Sequence, residues 1–139
     1  MGTNIRPEVS KRNKYWIERH RYYELKHFCL QYPIWKEAYL ALDGLLERGV
    51  DLTSFSKTNL HNDPTAKHAE ALIFYSDRLH MIERTAKRTD ESLAEYILLG
   101  VTKGKSYDNL RTVHNIPCSK DVYYEMYRRF FWLLNKERD

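Results

Sequence analysis

The chain has 139 residues, with 23 lysines and arginines against 19 aspartates and glutamates, and its residues are 42% apolar and 14% aromatic. This composition excludes a disordered chain and predicts an ordered domain whose core needs neither disulfides nor a metal. The opening MGTNIRPEVSKRNKY lacks the apolar core of a signal peptide, and no stretch approaches the roughly 18 apolar residues that span a bilayer. We therefore expect a soluble, cytoplasmic protein that has no membrane partner.

The spacing of cysteine and histidine gives no sign of a disulfide framework or a metal centre. Cys29 and Cys118 lie far apart and form no CxxC pattern, which is typical of buried or incidental thiols in a reducing cytosol. His20 and His27 share a helical face but have no cysteine or second carboxylate at ligand spacing. The sequence also has no P-loop, nucleophile elbow or Gly-rich dinucleotide turn. We expect no metal, no cofactor and no enzymatic activity.

Apolar residues recur three and four apart and glycine is rare, which predicts an all-α fold. Residues 1–13 are predicted to be a flexible tail. Residues 14–50 are predicted to form an aromatic-rich helical hairpin, in which Pro33 separates a helix that begins near Tyr15 from one that ends near Gly49. We expect the core of the second helix to contain these side chains: Trp35, Tyr39, Leu40, Leu42 and Leu46.

The aromatic side chains of the hairpin allow two interpretations. They are expected to form its interior or a dimer interface: Trp16, Tyr22, Phe28, Tyr32, Trp35 and Tyr39. The alternative is a nucleic-acid surface, since Arg19, Arg21 and Lys26 interleave with Tyr22 and Tyr23.

Residues 51–63 are polar and lack helical periodicity, which predicts a linker. Residues 64–139 are predicted to form a long helix that leads into a helix-turn-helix module. The long helix should begin at Pro64 with Asp63 as its cap and reach about Arg88. Its apolar stripe is predicted to contain Ala69, Leu72, Ile73, Leu79 and Ile82.

Cap and turn residues divide the C-terminal third into three short helices. Thr89 is predicted to cap the first, which ends at Gly104, and Ser106 caps the second. Asn115 tolerates the left-handed turn that follows, and Ser119 caps the last helix. Apolar residues at helical spacing are predicted to face inward in that helix: Val122, Met126, Phe130 and Leu133. The motif spans about 104–135 and has helix-turn-helix spacing.

This segment resembles a known family. The run YILLGVTKGKSYDNLRTVHNIPCSKDVYYEMYRRFFWLL is similar to the C-terminal module of ArpU/RinA-type phage late transcription regulators, itself similar to region 4 of sigma factors. Three features carry the resemblance: the G-x-S-Y before the first motif helix, the N-I-P turn, and the cap-x-x-Val-Tyr-Tyr start of the recognition helix. The resemblance implies that the last helix enters a DNA groove.

The resemblance also implies site residues. The groove face would contain Lys120, Tyr123, Tyr124, Tyr127 and Arg128. Arg128 would pair with a guanine, whereas Ser119, Lys120 and the tyrosine hydroxyls would bind phosphates. Backbone contacts nearby would come from Lys103, Lys105 and Arg111. The competing interpretation is that the tyrosines simply pack, since Asp121 and Glu125 repel phosphate.

Charge is distributed unevenly, because both ends of the chain are basic and its middle is acidic. This pattern is compatible with a polyanion partner. The first hypothesis is therefore a DNA-binding transcriptional regulator of phage or prophage late genes. It would bind double-stranded DNA and RNA polymerase, and it would dimerise through its N-terminal aromatic helices. The alternative is a non-enzymatic, all-helical phage interaction protein (packaging, structural or host-defence-inhibiting) whose helix-turn-helix outline is only architectural.

Overall fold

A computed structural model describes residues 11–47 and 64–138, and within these ranges the chain forms helices and no strands. We number the helices in chain order as α1 (Arg19–Leu30), α2 (Tyr32–Glu47), α3 (Pro64–Thr89), α4 (Ala94–Lys103), α5 (Tyr107–His114) and α6 (Lys120–Glu137). The all-α prediction is confirmed. Residues 1–10 of the predicted tail, the 51–63 linker, the Asp63 cap and Gly49 lie outside the described residues.

The described residues form two compact units. One unit contains residues 11–32 and 81–138, and the other contains residues 33–47 and 64–80. The predicted hairpin of residues 14–50 is thus divided at Tyr32. In the first unit α1 packs against α4 and α6, and α4 also packs against α5 and α6.

The first helix begins four residues later than the apolar spacing predicts. Glu18 supplies its cap, because the Glu18 carboxylate accepts hydrogen bonds from the backbone amides of His20 at 2.9 Å and Arg21 at 3.1 Å. These bonds stabilise the charged form and lower the pKa of Glu18. At the other end α1 stops at Leu30, and Pro33 lies in the first turn of α2, where its missing N–H is tolerated.

Fully buried side chains from four helices form the core of the first unit. They come from α1 (Leu25, Cys29), α3 (Ile82), α4 (Ile97, Val101) and α6 (Phe130, Phe131, Leu134). Removing each large apolar side chain from water contributes about 1.5–3 kcal/mol. Burial of the α1 side chains against α6 therefore explains why α1 belongs to the same unit as the C-terminal helices.

Four of the five predicted caps and turns of the C-terminal third are confirmed. Gly104 adopts a left-handed conformation with φ of 65°, and Asn115 does so with φ of 54°. The hydroxyls of Ser106 and Ser119 accept hydrogen bonds from the amides of residues 109 and 122 at 3.2 and 3.3 Å. These residues end α4 and α5 and begin α5 and α6.

The predicted cap at Thr89 is wrong. Thr89 is the last residue of α3, and its hydroxyl donates back to the carbonyl of Thr85 at 2.8 Å. Asp90 provides the acceptor instead, because its carboxylate takes the amides of Ser92 at 2.9 Å and Leu93 at 3.1 Å. An ionised carboxylate is the stronger acceptor, which explains why it replaces the threonine.

The second unit buries fewer of its predicted core side chains. Trp35 and Leu79 are buried, but Leu40 is 56% exposed and Ile73 is 60% exposed. Ala69 is also exposed, and Leu46 lies outside the residues whose side chains are described. The described part of this unit contains only α2 and the first part of α3, so each helix has few neighbours against which to bury a second stripe.

Candidate nucleic-acid interface

Tyr107 brings the beginning of α5 next to the beginning of α6. Its hydroxyl donates to the carbonyl oxygen of Cys118 at 2.6 Å, one residue before the Ser119 cap. Its backbone amide lies 3.5 Å from the hydroxyl of Tyr124 in the first turns of α6. Two serine-capped helix beginnings are therefore adjacent, and Lys105 and Lys120 flank them.

The basic residues predicted for this region lie at the surface. Lys103, Lys105 and Lys120 are exposed, as are Ser119 and, on α5, Arg111. We call the group Lys103, Lys105, Ser119 and Lys120 the α5–α6 surface. Helix beginnings carry a partial positive charge, so this surface offers lysines and positive dipole ends on neighbouring elements. Asp108 and Asp121, in the first turns of the two helices, oppose that charge.

The tyrosines predicted for the groove face point the other way. Tyr123 is 1% exposed and Tyr124 is 8% exposed, whereas Val122, predicted to face inward, is 43% exposed. The prediction that Tyr123 and Tyr124 lie on the outer face of the last helix is therefore wrong. The predicted inward series is right at Phe130 and Leu133, which are buried, and wrong at Val122, where α6 buries the next two residues instead.

The inward-facing tyrosines form a cluster of aromatic rings. Tyr123 has its ring centroid 5.1 Å from Tyr124 and 6.3 Å from Tyr127, and Tyr127 lies 4.9 Å from Phe131. The hydroxyls of Tyr22 on α1 and Tyr127 are hydrogen-bonded at 2.7 Å. Burial raises the pKa of Tyr127 well above its ordinary value, and the bond to Tyr22 occupies the hydroxyl that was predicted to bind phosphate. The interpretation that these tyrosines pack is the one that the structure supports.

Arg128 keeps an intermediate position. It is half-buried and lies on the side of α6 that also contains Asp121 and Glu125. Phe130, predicted to face inward, is completely buried, and Met126 is half-buried. Of the side chains predicted for the groove face, the tyrosines pack into the cluster and Lys120 lies at the start of the helix. Arg128 is the one that remains for a base contact.

The N-terminal basic and aromatic residues are engaged within the chain. Tyr22 and Phe28 are buried within the chain, so of the two positions predicted for these rings, an interior position and not a dimer interface applies to them. Arg21 donates from Nε to the side chain of Asn135 at 2.6 Å and pairs with Glu24. Its guanidinium thus ties α1 to the end of α6, so the alternative of a nucleic-acid surface built on Arg21 is not favoured.

A second group of cations on α6 is not among the predicted site residues. Arg129 and Lys136 lie with Trp132 at spacings of three and four, and this signal is present in the sequence. In a recognition helix the residues that contact bases lie in the first turns, so the predicted site residues come from the beginning of α6. These three residues lie in its second half.

A cleft of about 490 Å³ lies between the end of α3 and α4. Its lining contains three carboxylates and one lysine, with Ala86, Ala94 and Leu98 as apolar lining. The hydroxyl of Ser92, also in the lining, donates to Asp90 at 2.7 Å. No histidine or cysteine lines this cleft, so it contains no nucleophile–base pair of those types.

Residues 11–47 and 64–138 provide neither a metal-binding group of side chains nor a membrane-spanning helix. No group of three or more histidine, cysteine, aspartate or glutamate side chains is placed to bind a metal ion there. None of the helices in this part of the chain has the length and apolarity to cross a membrane.

Comparison with protein-family models, with curated proteins and with solved structures finds no significant match to this chain.

Proposed function

We propose that this protein is a non-enzymatic, cytoplasmic transcriptional regulator that binds double-stranded DNA, and that the genes it regulates are phage or prophage late genes. The observation that supports DNA binding is the adjacency of two capped helix beginnings, which Tyr107 creates by its hydrogen bond to Cys118 at 2.6 Å. The α5–α6 surface presents its lysines at that place. The regulatory role rests on the family resemblance of the same segment.

The chemistry of the α5–α6 surface favours phosphate over bases. Lys103, Lys105 and Lys120 are point charges on flexible stems, which suit phosphate oxygens better than the bidentate edge of a guanine. The exposed side chains in the first turns of α6 include Asp121 and Glu125, which repel a phosphate backbone. Binding should therefore be strongly salt-dependent and weakly sequence-dependent, with Arg128 as the remaining candidate for a base contact.

The test is substitution of the lysines. Lys105→Ala and Lys120→Ala should each weaken binding of a fluorescently labelled duplex and reduce the slope of log Kd against log salt by about one. The matched control is Lys87→Ala, because Lys87 is exposed on α3 beside Glu83 and Glu91 and is therefore a poor phosphate ligand. If all three variants bind as the unsubstituted protein does, the α5–α6 surface does not bind DNA.

A protein-interaction role is the second candidate. Val113 on α5 is 63% exposed and Val122 on α6 is 43% exposed, and Asp121 and Glu125 accompany Val122. Apolar side chains rimmed by carboxylates suit a protein surface better than a phosphate backbone. The test is the variant Val122→Ser. If it binds duplex DNA as the unsubstituted protein does but no longer binds an identified protein partner, the protein-interaction role is favoured.

A second copy of the chain and RNA polymerase are proposed as partners of the regulator. Because Tyr22 and Phe28 are buried, dimerisation requires another surface, such as the exposed apolar side chains Ile34, Leu40 and Ile73. Sedimentation velocity of the unsubstituted protein and of Ile73→Ser measures this directly. A monomer at all concentrations would contradict the dimer.

A further inference from the structure

Cations at the surface of the first unit surround two aromatic rings, the buried ring of Tyr15 and the half-buried ring of Trp132. Lys14 lies 5.0 Å from the ring centroid of Tyr15. Arg129 also lies near this ring and donates a hydrogen bond to the Tyr15 hydroxyl at 3.2 Å. Tyr15 meets Trp132 edge to face at 5.5 Å, and Lys136 lies 3.4 Å from the ring centroid of Trp132. Lys11 lies next to this group over Trp16, at 5.8 Å. We call Lys11, Lys14, Tyr15, Arg129, Trp132 and Lys136 the cation–aromatic surface.

The exposed side of α6 changes charge along its length. The exposed Asp121 and Glu125 make the first half acidic, whereas the half-buried Arg128 and Arg129 and the exposed Lys136 make the second half basic. The acidic half is the half that a recognition helix would present to DNA. The basic half is instead joined by Lys14, which shares the ring of Tyr15 with Arg129, and Lys11 lies over the neighbouring Trp16.

Two carboxylates close to this surface, Asp90 and Glu137, are already engaged. Arg129 helps to lower the pKa of Asp90, so that carboxylate is close, but Asp90 accepts hydrogen bonds from Ser92 and Leu93 at the start of α4. Glu137 follows Lys136 but binds Arg84 and Arg88 on α3, at 3.2 and 2.8 Å. The cations of the surface therefore retain positive charge for a ligand.

The contacts of the rings decide what kind of polyanion fits. Lys14 and Arg129 lie over Tyr15, and Lys136 lies over Trp132, so the protein's own cations cover these rings. Nucleic-acid bases need open ring faces on which to stack, as in proteins that bind single strands. Phosphates need only the cations, and cation–π contacts restrict those side chains before binding, which lowers the entropy cost of ordering them.

We propose that the cation–aromatic surface is a second duplex-DNA site, at which Lys11, Lys14, Arg129 and Lys136 bind backbone phosphates. This inference rests on the proposed DNA-binding function and extends it to a separate surface. Lys120 and Lys136 are 16 residues apart on α6, which places their directions about 160° apart around the helix axis. The two surfaces therefore face different ways and bind phosphates independently of each other.

The test uses the full-length chain with the triple substitution Lys11→Ala/Lys14→Ala/Lys136→Ala. Each lost phosphate contact should reduce the slope of log Kd against log salt by about 0.9, and hence the triple variant by about 2 to 3, for a labelled 24-base-pair duplex. The control with the same loss of charge is Lys36→Ala/Lys67→Ala/Lys87→Ala, in which all three lysines are exposed and lie outside this surface. Circular dichroism should show equal helix content in both.

Each outcome separates this inference from the proposed function. If the triple variant changes the slope no more than its control does, while Lys105→Ala and Lys120→Ala weaken binding, the cation–aromatic surface is not a DNA site and the proposed function remains. If the triple variant loses binding while Lys105→Ala and Lys120→Ala do not, the cation–aromatic surface binds duplex DNA and the α5–α6 surface does not. If the unsubstituted protein binds no duplex, both are wrong. Tighter binding of a single strand of the same length, lost in the triple variant, would overturn the assignment to duplex.

Discussion

Replacing Gly100 by alanine should destabilise the protein although it improves the intrinsic helix propensity of α4. The added methyl group would lie 1.9 Å from the hydroxyl oxygen of Tyr123 and 3.2 Å from its Cζ. The hydroxyl would have to retreat by roughly 1.5 Å to regain a contact distance of about 3.5 Å. The Tyr123 ring cannot easily do so, because it is 1% exposed and has the rings of Tyr107 and Tyr124 as neighbours at 6.0 and 5.1 Å.

The expected magnitude follows from two opposing effects. Overpacking a close-packed core costs about 1–3 kcal/mol, and exchanging a helical glycine for alanine returns up to about 1 kcal/mol. Gly100→Ala should therefore lower the free energy of unfolding by about 1–2 kcal/mol in urea titrations. Gly44→Ala is the control, because no atom lies within 4 Å of the added methyl in α2, and it should raise the free energy of unfolding by up to about 1 kcal/mol.

A double-mutant cycle of Gly100→Ala and Tyr123→Phe shows whether the contact between these two residues causes the loss of stability. The Tyr123 hydroxyl is buried and has no hydrogen-bond partner in the described chain, so Tyr123→Phe alone should cost little or be stabilising. In the Tyr123→Phe background Gly100→Ala should cost less, since only the contact at 3.2 Å remains. If Gly100→Ala is as stabilising as Gly44→Ala, or if the cycle shows no coupling, the packing of α6 against α4 described here is wrong.

The remaining predictions concern a cap, an ion pair and the tyrosines. Ser119→Ala should lower the free energy of unfolding by about 1 kcal/mol, because the amide of Val122 loses its acceptor; an unchanged urea midpoint would contradict the cap. Arg84 and Arg88 lower the pKa of Glu137, so its charged form stabilises the fold at neutral pH and this contribution disappears as the pH falls below its ordinary value of 4.5. Thermal melting should therefore show Glu137→Gln to be less stable than the unsubstituted protein at pH 7 and similar to it at pH 3; a difference that does not change with pH would refute the ion pair. Burial raises the pKa of Tyr32, Tyr123 and Tyr127. Their neutral side chains therefore favour the folded state up to about pH 10, the ordinary pKa of tyrosine, and the fold loses stability as the pH rises further. Absorbance at alkaline pH should show part of the 11 tyrosines ionising only as the protein unfolds, whereas in concentrated urea all should ionise together near pH 10.

Local signals predicted the helix ends of the C-terminal third well. Gly104 and Asn115 adopt left-handed conformations that few other residues tolerate, and Ser106 and Ser119 have hydroxyls that reach the amides three residues on. Each of these effects depends on a few neighbouring residues. The predicted cap at Thr89 is wrong for the same kind of local reason, because the carboxylate of Asp90, the next residue, is the better acceptor.

The orientation of α6 was not predictable from its own residues. Its first turns contain both Val122 and two neighbouring tyrosines, and Tyr123 and Tyr124 are the residues buried. The hydroxyl of Tyr123 lies against Gly100 of α4, and the ring of Tyr124 lies 6.5 Å from that of Tyr107 of α5. Tyrosine has both an apolar ring and a polar hydroxyl, so the sequence alone supports either position. Partner helices far away in the chain decide between them.

The candidate site was therefore predicted in part. Lysines at helix ends and in the segments between helices are exposed almost regardless of helix rotation, which explains why Lys103, Lys105 and Lys120 lie where they were expected. The cation–aromatic surface combines residues about 115 positions apart, such as Tyr15 and Arg129, and no local pattern brings them together.

The salt dependence of duplex binding by the unsubstituted protein tests DNA binding most directly. Four phosphate contacts, from the three lysines of the α5–α6 surface and Arg111, predict a slope of log Kd against log salt of about 3 to 4 in magnitude, and contacts from the cation–aromatic surface would increase it. The measurement is fluorescence anisotropy of a labelled duplex, including DNA from the gene's own neighbourhood, between low and physiological salt. A duplex bound with that slope supports a DNA-binding regulator; the absence of any salt-sensitive binding would contradict it and favour the interaction protein.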